Sequence, residues 1–172
     1  NNIFGAQIKY LIKSEIGWLG GFSISSAAWM IEARDKLIGW SNTARIYNLD
    51  KVVSNSRFLI LPQVKVKNLA SYVLSKMSKQ IKSDWLERYG YEPKLMETFV
   101  DQEKFFGSIY KAANWSPFTV RGFGDMFNFM LIRFMPAKPK DEAAKTNPIK
   151  SLSQLRVFTY FRLKKIIRRC FA

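Results

Sequence analysis

The chain of 172 residues has no histidine and a single cysteine, Cys170. Lacking imidazole, it has no His general base and no Ser/His or Cys/His pair to activate a nucleophile. With one thiol it holds neither a Cys- or His-ligated zinc nor an internal disulfide. Any chemistry must come from carboxylates, Tyr, Ser or Thr, backbone amides or a cofactor, and no metal site is expected. Long apolar runs are missing too: Phe127 to Met135 and Phe99 to Tyr110 are short or interrupted by charge, far from the roughly 20 residues of a spanning helix. An integral membrane segment is therefore not expected. The opening Asn1-Asn2 shows no charged-then-apolar leader, which reads as a cytosolic chain lacking its natural start. No internal repeat of solenoid period is visible.

What the chain does have is apolar material and positive charge. It is 48% hydrophobic and 15% aromatic, enough for the core of one domain. Its 28 Lys and Arg stand against 13 Asp and Glu, a formal charge of +15 that suggests a polyanionic partner such as nucleic acid, a phosphorylated ligand or a membrane surface. The excess is uneven: residues 1–125 hold 17 cations and 11 anions, net +6, while residues 126–172 hold 11 and 2, net +9. Between the two, 136–148 is rich in Pro, Lys and small residues without apolar period, a linker or extended loop.

Alternation predicts a strand over Gln7 to Ser14, a turn at Glu15-Ile16-Gly17 and a second extended run from Trp18 to Ala28, together a β-hairpin. Ile46, Leu49 and Val53, at spacings of three and four, predict a helix over Thr43 to Val53. The apolar run Arg57 to Pro62 reads as a strand buried on both faces. Asn68 is a candidate N-cap for a helix whose buried stripe is Leu69, Val73, Met77 and Ile81, with Leu74 beside it and Lys76, Lys79 and Lys82 on the other face. Lys94 to Val100 is a second buried strand, and Asp101 a candidate cap for a further helix running through Tyr110. Two strands joined through one helix form a right-handed crossover, so they are expected to lie parallel in a mixed sheet. The tail from Ser151 to Ala172 is readable as a basic amphipathic helix, suited to phosphates, an anionic membrane, a partner groove or its own domain.

A loop that leaves a buried strand and opens a helix presents unpaired amides at the positive end of the helix dipole, a natural phosphate site. Here that loop is Lys65, Val66, Lys67, Asn68, Leu69 and Ala70. At this stretch the sequence resembles the GNAT acyltransferases, which run strand, Pro, then Arg/Gln-x-x-Gly-x-Gly/Ala into a helix. Pro62 through Ala70 follows that spacing, with Lys65 for Arg or Gln, Asn68 for the first Gly, and Ala70 conforming. The resemblance implies a loop holding the pyrophosphate of an acyl-CoA. A second likeness to that family is Tyr110-Lys111-Ala112-Ala113-Asn114-Trp115, placed like its Tyr-x-x-x-Gly-Phe. It implies Tyr110 as general acid; Glu97, on the second strand, is the carboxylate nominated as base, although packing in an aromatic helix also accounts for Tyr110 and a solvated edge for Glu97.

A longer match spans roughly residues 4 to 125. Gly39-Trp40-Ser41, Asn55 through Pro62, Asn68-Leu69-Ala70-Ser71, Asp84-Trp85, Arg88-Tyr89-Gly90-Tyr91, Glu97 through Asp101 and Tyr110 through Trp115 together resemble the DruA-type domain. That family comprises a prokaryotic component of the Druantia anti-phage defence system and relatives encoded with, or fused to, transposases. Arg121-Gly122-Phe123-Gly124 corresponds to its basic glycine-rich stretch, or is an ordinary turn. Relatives carry an additional N-terminal region and continue differently from Phe127 onward.

The expectation is an α/β domain over 1–125 with a GNAT-like mixed sheet, followed by a basic extension over 126–172. As a component of defence or transposition machinery it would contact nucleic acid through Lys65, Lys67, Lys76, Lys79, Lys82 and Arg121, with Lys164, Lys165, Arg168 and Arg169 in the tail, beside other proteins of that machinery. The alternatives are an acyl-CoA-dependent N-acyltransferase and an inactive remnant of either.

Overall fold

The computed structural model describes residues 5–101, 103–118, 127–133 and 156–159. Strands β1 (Gln7–Ser14) and β2 (Gly17–Ser26) are followed by helices α1 (Glu32–Ile38) and α2 (Asn42–Asn48), and a single 3-10 turn, Leu49–Lys51, leads into β3 (Val52–Ile60). Helix α3 (Leu69–Tyr89) crosses to β4 (Leu95–Asp101), and α4 (Ser108–Lys111), β5 (Ser116–Phe118), β6 (Phe127–Arg133) and β7 (Arg156–Thr159) complete the described chain. The strands form one seven-stranded sheet in the order β5-β6-β4-β3-β2-β1-β7. Among the described residues only β3 and β4 run parallel, and every other pairing is antiparallel.

Alternation does in the hairpin what its sequence predicts. Ile8, Tyr10 and Ile12 are buried while Lys9 and Lys13 are exposed, because successive side chains leave a strand on opposite faces. Tyr10 stacks on Phe22 of β2 with ring centroids 4.5 Å apart. Helix α3 covers this apolar face with its whole predicted stripe, Leu69, Val73, Leu74, Met77 and Ile81, and Trp85 one turn on. It stops at Gly90, whose φ of 81° admits the left-handed cap that closes onto Leu86 O. The Tyr89 hydroxyl accepts from Gln7 N at 2.7 Å and donates to Gln7 O at 2.8 Å, fixing the end of α3 to the start of β1.

The opposite face is polar. Gln7, Ser25, Ser54 and Glu97 stand in register across β1, β2, β3 and β4. Of these Ser25, Ser54 and Glu97 are buried, and α1 reaches this row through Arg34.

Several expectations are corrected. The helix expected over Thr43 to Val53 ends at Asn48; Ile46 is exposed, and Val53 is a buried strand residue, so the spacing of three and four crossed an element boundary. The strand expected over Arg57 to Pro62 is Val52–Ile60, and its fully buried part is Val52 to Asn55. Beyond Ser54 it loses β4 as a neighbour, and burial alternates as on any strand with one open face. Asn68 does not cap α3 with its side chain; it sits at φ 61°, ψ 7°, in the left-handed region that Asn tolerates better than most residues. Asp101 ends β4 and accepts from Glu103 N at 3.0 Å, a local turn, while α4 begins only at Ser108 with Gly107 as its N-cap, beyond the exposed Phe105 and Phe106. Within the expected tail helix, Arg156–Thr159 is instead a strand paired with β1. Phe127–Arg133 is likewise a strand of the sheet, paired with β4.

Gly20 shows how closely β2 and β3 approach. A Cβ there would lie 2.1 Å from the carbonyl oxygen of Leu59, backbone that cannot move aside without breaking the ladder. Gly20→Ala is expected to cost about 1–3 kcal/mol, as overpacking does. Urea unfolding at unchanged m-value measures it, and an unaltered midpoint would count against this account.

Candidate functional site

The parallel pairing of β3 and β4 lasts three residues, Val52↔Leu95, Val53↔Met96 and Ser54↔Glu97. Afterwards β3 continues along β2 to Ile60 and β4 continues along β6 to Asp101. The strands part immediately after Glu97. Beside this point β3 carries a bulge that takes Ser56 out of the ladder between Asn55 and Arg57, and the Ser56 and Ser23 hydroxyls meet at 2.9 Å. Polar side chains gather on both faces here.

On the α1 face, the Glu97 side chain is fully enclosed, and its Oε2 lies 3.4 Å from Nη1 of an equally enclosed Arg34. Arg34 spends all its nitrogens locally: Nη1 also donates to Ala28 O at 2.8 Å, Nη2 to Trp29 O at 3.3 Å and Nε to Asp35 Oδ1 at 3.2 Å. Asp35 is shared, because its Oδ2 accepts from Arg45 Nη1 of α2 at 2.9 Å, and the Arg45 guanidinium stands 5.7 Å from the Trp29 ring centroid. The chain of charge is Glu97–Arg34–Asp35–Arg45. Burial pushes the Glu97 carboxyl up to about 7, against the opposing pull of Arg34. Its Oε1 is buried with no hydrogen-bond partner among the described residues.

On the α3 face, Thr98 donates to Asn55 O at 2.9 Å, and the Asn55 amide lies 3.9 Å from the Met77 sulfur with its own Oδ1 unpartnered among the described residues. Tyr110 is buried beside them, edge-on to Trp115 at 5.2 Å. Burial raises its phenol above the ordinary value. Glu97 and Thr98 are consecutive strand residues, so the two nominated groups, Glu97 and Tyr110, belong to opposite faces of β4.

The loop after β3 turns at Leu61–Val64 and again at Val66–Leu69, with N···O distances of 2.9 and 3.3 Å. Lys65, Val66, Lys67 and Asn68 are exposed, Leu69 is anchored in the core, and Ala70 lies between. On α3, Lys76 and Lys79 are exposed, the former 5.6 Å from the Tyr72 ring centroid, whereas Lys82 pairs with Glu92 at 3.5 Å. Arg121, Lys164, Lys165, Arg168 and Arg169 lie outside the described residues. Among the described residues no group of three or more His, Cys, Asp or Glu could hold a metal ion, and no helix is long and apolar enough to cross a membrane.

Arg34, Asp35 and Arg45 were not singled out by sequence, and Asn55 and Thr98 lay in the stretches that resemble the DruA-type domain without a role of their own. Only Arg34-Asp35, an adjacent charge pair in a segment without apolar stripe, offered a signal.

A mixed sheet with one short parallel pair, a helix crossing between its strands, and a polar cluster where those strands part define the class. It is an α/β domain built on one mixed sheet. The family described as Druantia protein DruA matches residues 1–143, and the chain belongs to that family. No curated protein matches the sequence. Among solved structures, spermidine N-acetyltransferase from Vibrio cholerae in complex with CoA and spermine is similar at TM-score 0.49 and 9% identity, over 74% of this chain and 66% of that one. The N-acetyltransferase PseH of Campylobacter jejuni is similar at TM-score 0.45 and 8% identity, over 74% of this chain and 67% of that one. A CoA-dependent acyl-homoserine lactone synthase, MesI, is similar at TM-score 0.43 and 17% identity, over 74% of this chain and 62% of that one. The chain thus spans about two thirds of these enzymes' length, and likeness at this level carries nothing about activity.

Glu97 binds its proton more tightly when folded than the ordinary value of 4.5 allows, so the native state holds the extra proton between about pH 4.5 and 7. Its contribution is fully present below that range and is lost as pH rises through about 7. Glu97→Gln is expected to flatten the fall in stability between pH 5 and 8. Arg34→Met, which strands a buried carboxylate, should cost about 3–5 kcal/mol at pH 8 and less at pH 5. Thermal melts across this range check both, and a pH-independent loss for Arg34→Met would contradict the assignment.

Proposed function

We propose that the chain serves anti-phage defence or mobile-element machinery in the cytoplasm by contacting nucleic acid, alongside other proteins of that machinery. Family membership is the observation that carries this reading. Its physical support is a set of cations with nothing to neutralise them: Lys65, Lys67 and Lys79 are exposed and in no ion pair among the described residues. Lys76 lies along the same helix, and Lys82, tied to Glu92, contributes less. Arg121, Lys164, Lys165, Arg168 and Arg169 would extend the cationic surface. Phosphate contacts of this kind give affinity without sequence preference and release counterions. Binding of a labelled 20-base oligonucleotide should therefore weaken steeply with salt. Replacing Lys65, Lys67 and Lys79 together by Ser should lower the log–log salt slope by roughly two on single strands, at about 0.7 per phosphate contact. Absence of any salt-dependent binding to DNA or RNA would falsify this reading.

A second reading, an acyl-CoA-dependent N-acyltransferase, is favoured by one observation. Asn68, standing where the GNAT motif has its first Gly, is at φ 61°, in the left-handed region glycine enters most readily, so its side chain does not prevent the turn. The loop's cations Lys65 and Lys67 and the first-turn amides at Ala70 suit a pyrophosphate. Acyl-CoA, when bound, would supply the activated acyl group. Lys65, Val66, Lys67, Asn68, Leu69 and Ala70 would hold it and Tyr110 would keep a proton at Oη for delivery, while Glu97, enclosed against Arg34 on the other face of β4, would not share that site as its base. Calorimetry with CoA decides: micromolar binding that Asn68→Asp weakens at least tenfold supports an enzyme, and no heat at millimolar CoA removes this reading. An inactive remnant would bind neither CoA nor nucleic acid.

A further inference from the structure

Among the described residues, the α1 face of the sheet is covered only at its Ser54–Glu97 end. Farther along β1, β2 and β3 it opens into a cleft of about 620 Å³, within the roughly 300–1,000 Å³ usual for ligand sites. Lys9, Ser23 and Arg57 stand in register across the three strands, as do Leu11, Gly21 and Leu59. Lys9 and Arg57 therefore project from the same face, their backbones roughly 10 Å apart, two strand spacings. Both are exposed and in no ion pair among the described residues, and the lining contains no Asp or Glu. Trp18, 48% exposed, stands at the rim with the Lys13 ammonium 5.2 Å from its ring centroid. Gly20 and Gly21 leave the middle strand without side chains, so a flat group meets backbone there. Their small size is imposed by the neighbouring strands, since a Cβ on Gly21 would lie 2.8 Å from Tyr10 O.

Two unneutralised cations a short span apart, a half-exposed indole and an apolar floor with Gly21 between Leu11 and Leu59 are the components that bind single-stranded nucleic acid: charge for the backbone, an aromatic face for a base. We infer that this cleft holds a single-stranded segment, with phosphates at Lys9 and Arg57 and a base stacked on Trp18. The inference rests on the nucleic-acid reading above and adds strand type and location. The cleft lies on the sheet face opposite α3, so its contribution is separable from that of Lys65, Lys67 and Lys79. Its charge is also wrong for a polycation.

The test is fluorescence anisotropy on the full chain with a labelled 20-base single strand and the duplex of the same sequence. Trp18→Ala should weaken single-strand binding about tenfold or more and leave duplex binding unchanged, while Trp18→Phe restores most of it. Lys9→Ser with Arg57→Ser should reduce the single-strand salt slope by roughly 1.4. Circular dichroism melts verify folding, and quenching of tryptophan emission by the unlabelled strand, lost in Trp18→Phe, reports the stack independently. Single-strand binding unaltered by Trp18→Ala and by the double variant, yet lost on replacing Lys65, Lys67 and Lys79, overturns the cleft and leaves the broader reading intact. Stronger binding to duplex than to single strand also overturns it. No binding to either nucleic acid overturns both.

Discussion

One enclosed guanidinium organises the middle of this molecule. Arg34 has no contact with water, and its charge is met by a carboxylate on either side, Glu97 from the sheet and Asp35 from its own helix. It also satisfies the carbonyls of Ala28 and Trp29, which the chain exposes on leaving β2. Without it, the polar row Ser25, Ser54 and Glu97 would face an apolar lid or water, and α1, whose buried residues are only Arg34 and Asp35, would have nothing to hold it there. A buried ion pair need not add net stability over a well-packed apolar substitute. What this one does is determine which way α1 and α2 sit.

The apolar half of the fold was legible because burial there follows simple periods. The hairpin strands alternate, and the α3 stripe repeats at three and four, so β1, β2, α3 and β4 could be located from sequence and the parallel pairing deduced from the crossover. The polar half was not. Helix α1 buries charge, its Ile31 N-cap provides no side-chain hydrogen bond, and hydrophobic periodicity passes over it. The boundary at Val52 was lost for the converse reason, since Ile46, Leu49 and Val53 imitate a helical stripe across three different elements.

The same division governs the candidate groups. Glu97 and Tyr110 were identifiable as residues by resemblance, but their placement on opposite faces follows from strand parity at Glu97 and Thr98, which needs the register with β3. The Glu97 partner is 63 residues away in sequence, and no local pattern announces it. Likewise, Lys9 and Arg57 become neighbours only through the bulge at Ser56, which shifts β3 by one residue against β2.

The pairing of β7 with β1 has a consequence for how the sheet is made. The first and last of the described strands are adjacent, joined through Tyr10↔Thr159 to Lys13↔Arg156. Closing so long a loop is entropically costly, and contacts of such sequence separation form slowly. The hairpin therefore emerges from synthesis with its outer edge unpaired until most of the chain has followed, an interval in which its unfilled N–H and C=O groups are open to any other extended strand.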